Sequence, residues 1–547
     1  MTDHDLDQNS RFDVLIVGAG FAGLYMLHRL RGAGLTARVY EQADGVGGTW
    51  YWNRYPGARC DAESLAYSFS FSYELEQDWN WTERYAAQPE ILTYANHVAE
   101  RFDLTRDIRF ERKVKSVHYD ETAGEWTVQT DRGDHARARF MVMATGCLSV
   151  PLMPEIEGLD DFAGDLYWTN AWPQESVDFS GQRVGVIGTG SSAIQAIPVI
   201  AEQAEHLTVF QRTPNFCVPA HNSPLDPEFI EGFKQNYAAH RHLQRTGGES
   251  GFGDLEVEAR EKGPYAMSGE PLSKEEIYTL LEQGWQVGGA VFLAVIGDVI
   301  VSPRSNEIVS EFVRDKIRAL VRDATTAELL CPRSFPIGTK RICVDTDYYA
   351  TYNRSNVELV SLPEDPIERI TPTGIKTRSA DHSFDALVLA TGFDAMTGAL
   401  LGMDIRGRNG QTLSDAWSAG PRTYLGLLVN GFPNLFTITG PGSPSVLSNM
   451  LVSIEQHVDL IMGCLEHMSD HGHERVEASL PAQDGWVAHV NDVANATLFP
   501  KAGSWYLGAN VPGKPRIFMP YAAGVGIYRQ VCDGIIAKGY EGFEFSD

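Results

Sequence analysis

The stretch FDVLIVGAGFAGLYMLHRLRGAGLTARVYEQ, residues 12–42, decides the fold. A β-branched apolar run ends at Val17, glycines follow at 18, 20 and 23, an apolar-periodic segment reads as a helix, and a second strand closes at Glu41. In such a strand–turn–helix unit, Gly18, Gly20 and Gly23 let the backbone approach a pyrophosphate at the helix N-terminus. About 170 residues further on, QRVGVIGTGSSAIQAIPVIAEQAEHLTVFQRT (182–213) repeats the pattern with Gly188, Gly190 and Ser191, and with Ala193 at the third glycine position. The chain therefore carries two dinucleotide sites.

The two sites differ at the end of the second strand. Glu41 is a carboxylate suited to accept hydrogen bonds from both hydroxyls of a free ribose. The matching stretch of the second unit is FQRTP, with Arg212 and Thr213, and the Arg212 guanidinium is suited to a 2′-phosphate. FAD is expected in the first site and NADPH in the second. Lys340 of GTKR would add a second positive charge at that phosphate.

Outward from these units, FMVMATGC (140–147) and FDALVLATGFD (384–394) are buried-strand patterns that stop at a Thr-Gly turn, where the chain leaves a sheet. Between Pro214 and Pro332 strand signals are sparse and helical stretches such as DPEFIEGFKQNYAAHRHL dominate. Residues 425–465 read as a strand, a Gly/Pro turn and a long helix, a return to the first domain. The expected class is α/β, with two interleaved Rossmann-like dinucleotide-binding domains and a helical insertion. The FAD domain spans 1–148 and 390–547, the NADP domain 149–214 and 333–389, and the insertion 215–332.

Composition agrees with an enzyme of this size. A chain of 547 residues exceeds one hydrophobic core and suggests about three to four domains. The 72 acidic against 45 basic residues give a net charge of −27, a field that repels nucleic acid and anionic membrane, so neither is an expected partner. The seven cysteines form no CxxC pair, and the 15 histidines include no HExxH, so neither a dithiol centre nor a metal site is expected. No GxSxG elbow appears. The most apolar stretch, 288–301, is short of a membrane span and contains Asp298, and the N-terminus is acidic. The expectation is a soluble, cytoplasmic monomer.

A family likeness rests on longer motifs. GGTWYWNRYPGARCD (47–61) resembles the fingerprint [A/G]GxWxxxx[F/Y]P[G/M]xxxD of the type I Baeyer-Villiger monooxygenases, matching at Gly48, Trp50, Tyr55, Pro56, Gly57 and Asp61. FAGDLYWTNAWP (162–173) resembles the second fingerprint, FxGxxxHxxxWP, at Phe162, Gly164, Trp172 and Pro173, with Trp168 where the family has His. The likeness continues through VGVIGTGSSAIQ, GTKR, GPGSPSVLSNM and SWYLGANVPGKPR, nearly the whole chain.

The resemblance implies a flavoprotein that uses NADPH and O2 to insert oxygen beside a ketone carbonyl through a flavin peroxide, giving an ester or lactone. It carries over catalytic roles to Arg341, which would lie over the flavin, and to Asp61, which would support it. Gly48 and Trp50 fall on the flavin side; Arg212, Thr213, Lys340 and Trp505 fall on the nicotinamide side. The family associates the fingerprint His with the linker between the dinucleotide domains, so Trp168 bears on that coupling. The substrate pocket is expected from Leu148, Ser445, Val446, Leu447 and Met450, with part of the insertion.

The chemistry accounts for these residue types. An arginine cannot lose its proton, so it stabilises an anionic oxidant and a later oxyanion without quenching either. A carboxylate such as Asp61 orients it by charge-assisted hydrogen bonds. Arg59 reads equally as a second positive group or as a partner of the acidic surface. The alternative function is a flavin monooxygenase oxidising nitrogen or sulfur in small molecules, against which Arg341 and the full first fingerprint argue. A disulfide reductase would need a cysteine pair beside the flavin, where only Cys60 stands near the first glycine loop. A redox sensor would need only one nucleotide site.

Overall fold

The computed structural model describes residues 7–247, 250–251 and 265–547. The first sheet contains β1 (Gln8–Val17), β2 (Ala37–Tyr40), β3 (Ile108–Arg109), β4 (Val114–Asp120), β5 (Glu125–Thr130) and β6 (His135–Met143). β1 lies in its middle, parallel to β2 on one side and to β6 on the other. Val14, Leu15 and Ile16 have no exposed surface, as expected for a strand covered on both faces, and each such side chain contributes about 1.5–3 kcal/mol of burial. β4 and β5 extend the sheet as an antiparallel pair beside β6. Strand Leu435–Thr437, more than 290 residues downstream of β6's Met143, pairs parallel with β6 and returns the chain to this sheet.

The second sheet is wholly parallel. It joins β7 (Asp165–Trp168), β8 (Arg183–Ile187) and β9 (His206–Gln211) to strands Val357–Ser361 and Ala386–Leu389. Both runs ending in Ala-Thr-Gly leave a sheet where expected, at Met143 and at Leu389. The two crossings then run side by side: Leu152 N donates to Gly392 O at 3.0 Å and Asp394 N to Val150 O at 2.9 Å. Between Pro214 and Pro332 the described residues form mainly helices, including Pro227–Gln235, Tyr237–Thr246, Lys274–Val287 and Pro303–Leu320.

Two helices position the sites. α1 (Phe21–Gly32) follows β1, and α2 (Ser191–Gln203) follows β8. Their N-caps are Gly20 and Gly190, and neither end receives a side-chain cap. The free N–H groups of both helices are therefore left for a ligand. A third long helix, α3 (Met450–His471), starts from Asn449, whose side chain accepts from Leu451 N. Among the described residues no helix is long and apolar enough to cross a membrane.

Candidate active site

At the first glycine turn the backbone is close-packed. Gly18 has φ +103°, and a Cβ there would lie 2.6 Å from Ala144 O. A Cβ on Gly23 would lie 1.9 Å from Gly18 O, so only glycine lets α1 sit this near β1. Gly20 is different: its Cβ would meet only the backbone of Gly48, Cα at 3.5 Å and N at 3.8 Å. Gly20 and Gly48 thus face each other beside the open end of α1, a cradle that side chains would fill. Glu41 is buried, its oxygens accepting from Ala19 N at 2.7 Å and Ala43 N at 2.8 Å. Each oxygen retains a second lone pair for a ribose hydroxyl. Burial raises its pKa, against the pull of these amides. The residues present fit a flavin dinucleotide. Trp50 is 9% exposed and its indole N–H donates to Tyr67 OH at 3.1 Å.

The second turn has the same geometry with opposite charge at its far end. Gly190 has open space where a Cβ would point, and Ser191 is exposed beside it. Gly188 repeats the packing role of Gly18, with φ +116° and Ala390 O at 2.5 Å from its would-be Cβ. Thr213 O accepts from Thr189 Oγ1 at 2.8 Å, which ties the end of β9 to the glycine turn. Arg212 is exposed and has no carboxylate partner among the described residues. Burial and then the charge of Arg212 lower the Lys340 pKa, so the two cations lie close enough to repel. Two adjacent cations at the end of this strand fit a 2′-phosphate.

Asp61 and Arg341, 280 residues apart, form a bidentate pair, with Nε to Oδ2 and Nη2 to Oδ1 both at 2.7 Å. Their side chains are 29% and 24% exposed. Burial pushes the carboxyl up, but the Arg341 charge and hydrogen bonds outweigh it and hold Asp61 below its ordinary value. Arg341 is raised, its desolvation overcome by Asp61. The third bond runs from Arg341 Nη1 to Val446 O at 3.1 Å. Of the five guanidinium N–H groups, one on each terminal nitrogen remains for a ligand.

The expected pocket residues come together. Leu148, Val446, Leu447, Met450 and Trp505 share one apolar cluster, joined by Ile300 of the insertion and by Met396, Phe499, Tyr506 and Phe518. Ser445 is fully buried, its hydroxyl 3.0 Å from Cys147 Sγ. Trp505 is half-buried, with Tyr506 at 4.4 Å between ring centroids. Its loop is held to the second crossing by Lys514 Nζ on Asp394 Oδ1 at 2.5 Å and Asn510 Nδ2 on Phe393 O at 2.7 Å. Arg59 points elsewhere, pairing with Glu83 at 2.6 Å. Trp168 closes β7 opposite Leu389 and packs in the second sheet's apolar layer. Nearby, Asn170 Nδ2 holds Gly392 O at 2.9 Å.

Residues that the motifs did not single out support this centre. His457 is fully buried on α3, and its Nδ1 accepts from Thr439 N at 3.0 Å, which leaves Nε2–H to donate to Tyr528 OH at 2.8 Å. It pins Thr439, whose φ of +54° is strained for a β-branched residue, at the start of the turn that carries Ser445. Burial lowers the His457 pKa from 6.5 to about 4. The unfolded chain therefore binds the extra proton between these values, and stability falls as pH drops through that window. Between pH 7 and pH 5 the wild type should lose about 2 kcal/mol that His457→Asn does not lose. Melting temperatures of both proteins at the two pH values check this.

The family model described as pyridine nucleotide-disulphide oxidoreductase matches residues 15–243. The cysteines nevertheless provide no disulfide beside the first glycine turn, since all seven are free and buried. A Baeyer-Villiger monooxygenase of Pseudooceanicola batsensis is 41% identical over 98% of this chain and 97% of its own. A phenazine N-monooxygenase of Lysobacter antibioticus is 40% identical over 99% and 98%. A solved structure of oxidized steroid monooxygenase bound to NADP is 50% identical with a TM-score of 0.93, covering 98% of this chain and 100% of that one. Full-length identity at this level, with both nucleotide turns in place, shows that the chain belongs to the type I Baeyer-Villiger monooxygenase family.

Proposed function

We propose that this NADPH-dependent flavin monooxygenase converts ketones to esters or lactones at the face of the Arg341–Asp61 pair, with Arg341 as the group that holds negative charge during oxygen insertion. The observation that carries the reading is the bidentate pair with two guanidinium N–H groups left unbonded, set beside the apolar cluster. FAD, when bound, supplies hydride acceptance and oxygen activation. Arg341 keeps its proton throughout, so it stabilises charge developing on the ketone oxygen without protonating the oxidant. Asp61 fixes the plane of the guanidinium, and Val446 O fixes its outer edge. Leu148, Val446, Leu447 and Met450 exclude water and orient the ketone, while Trp505 covers the nicotinamide side.

A second reading is favoured by the relative named for N-oxidation, which is nearly as similar as the one named for Baeyer-Villiger chemistry. The deciding experiment measures NADPH consumption by the purified yellow protein against a panel of ketones and aromatic N-heterocycles, with products identified by mass spectrometry. Esters or lactones support the ketone reading. N-oxides from the heterocycles with no ester from any ketone overturn it.

Nucleotide choice gives a separate expectation. Arg212 and Lys340 should favour NADPH over NADH, and Arg212→Ala should raise KM for NADPH about 10- to 100-fold while KM for NADH stays within about twofold. Steady-state kinetics with both nucleotides check this, and equal use of both by the wild type would remove the assignment.

A further inference from the structure

Helix α2 touches both segments that carry the ion pair. Ser191, its first residue, has Oγ 3.3 Å from Cys343 Sγ, two residues beyond Arg341. One turn later Gln195 Oε1 accepts from Tyr55 OH at 2.8 Å and Arg59 N at 3.4 Å, while its Nε2 donates to Arg59 O at 3.0 Å, two residues before Asp61. Residues 191 and 195 stand at i and i+4 and so project from one face of the helix. Gly57 seats the fingerprint segment against that face: with φ +78°, its Cβ would lie 2.3 Å from Gln195 O and 3.1 Å from Val199 Cγ2. No other residue fits there without moving the segment off the helix.

We propose that Gln195 is a positioning residue for oxygen transfer, holding the Asp61 segment to the helix whose N-terminus receives the nucleotide phosphates. A bidentate pair needs both partners aligned, and these two arrive on separate segments of chain, one at each end of this contact. Helix α2 is the common rigid body against which both are registered. Seating of the nucleotide at α2 is thereby linked to the alignment of Arg341 by Asp61. The inference rests on the roles proposed above for Arg341 and Asp61.

The test uses the flavin-loaded enzyme and counts ester and hydrogen peroxide formed per NADPH consumed. Gln195→Ala should lower ester per NADPH about three- to tenfold, with peroxide making up the difference. Flavin content and the rate of anaerobic flavin bleaching by NADPH should stay within about twofold. In an Asp61→Asn background, where the alignment is already lost, Gln195→Ala should lower the yield no further. Were Gln195→Ala to release flavin, Gln195→Met, which keeps the length without donor or acceptor, takes its place under the same criteria. An unchanged ester yield overturns the proposal, as does an equal fall in both backgrounds, which would make Gln195 a general structural residue. If Asp61→Asn alone keeps the wild-type yield, it is the role of the ion pair that fails.

Discussion

Arg341→Ala should still let NADPH bleach the flavin at a rate within a few-fold of wild type, while ester formation falls about 10²- to 10³-fold and the two electrons of each NADPH oxidised reduce O2 to hydrogen peroxide. Reduction needs only the nicotinamide placed against the flavin, and the roles proposed for Arg212, Lys340 and the α2 N-terminus leave that placement intact. Oxygen insertion needs a fixed cation, and alanine removes the one that Asp61 and Val446 O hold in position. The protein should fold, because Asp61 is 29% exposed and can be hydrated once its partner is gone. Asp61→Asn should weaken the same step less, since a misaligned guanidinium still carries its charge. The double variant should cost less than the two singles combined, because both act on one pair. Rapid-mixing absorbance with product counting decides the matter: an Arg341→Ala enzyme that makes ester at the wild-type rate removes Arg341 from the mechanism.

Gly20→Leu should give a folded, colourless protein with less than about a tenth of the wild-type flavin content, because a side chain would occupy the slot where a pyrophosphate meets α1. The structure makes this a cleaner test than Gly18. A side chain at Gly18 strikes the backbone of Ala144 and demands φ +103°, so its loss of flavin would be inseparable from loss of fold. Gly20 has an ordinary φ of −73°, and its would-be Cβ meets only the backbone of Gly48, at ordinary contact distance. Flavin absorbance per protein, read beside circular dichroism, checks the result. A yellow, fully loaded Gly20→Leu protein would mean that the flavin lies elsewhere.

What is legible in the sequence follows the range of each interaction. Strand β1, the turn at Gly18 and helix α1 are contiguous, so their apolar periodicity and glycine spacing identify them without tertiary information. The opposed charges of Glu41 and Arg212 are equally local, each ending a strand that its own residues specify. Arg341 and Asp61 each lie in a motif of their own, and nothing in the spacing of either motif states that the two meet. Trp50 shows the same limit: its motif is local, but the bond from its indole N–H to Tyr67 OH is decided by tertiary packing.

By itself the sequence determined two nucleotide turns of unlike charge and an α/β framework around them, because backbone periodicity and side-chain chemistry act over a few residues. Only the tertiary structure decided that Arg59 faces Glu83 and not the centre, that His457 pins Thr439, and that Gln195 grips the segment of Asp61. Gln195 and Arg59 are 136 residues apart, and Arg341 and Asp61 are 280 apart. Contacts over such separations depend on how one sheet and its helices seat against the other, and that seating is set by summed packing, such as Gly57 against Gln195 O, which no local pattern encodes.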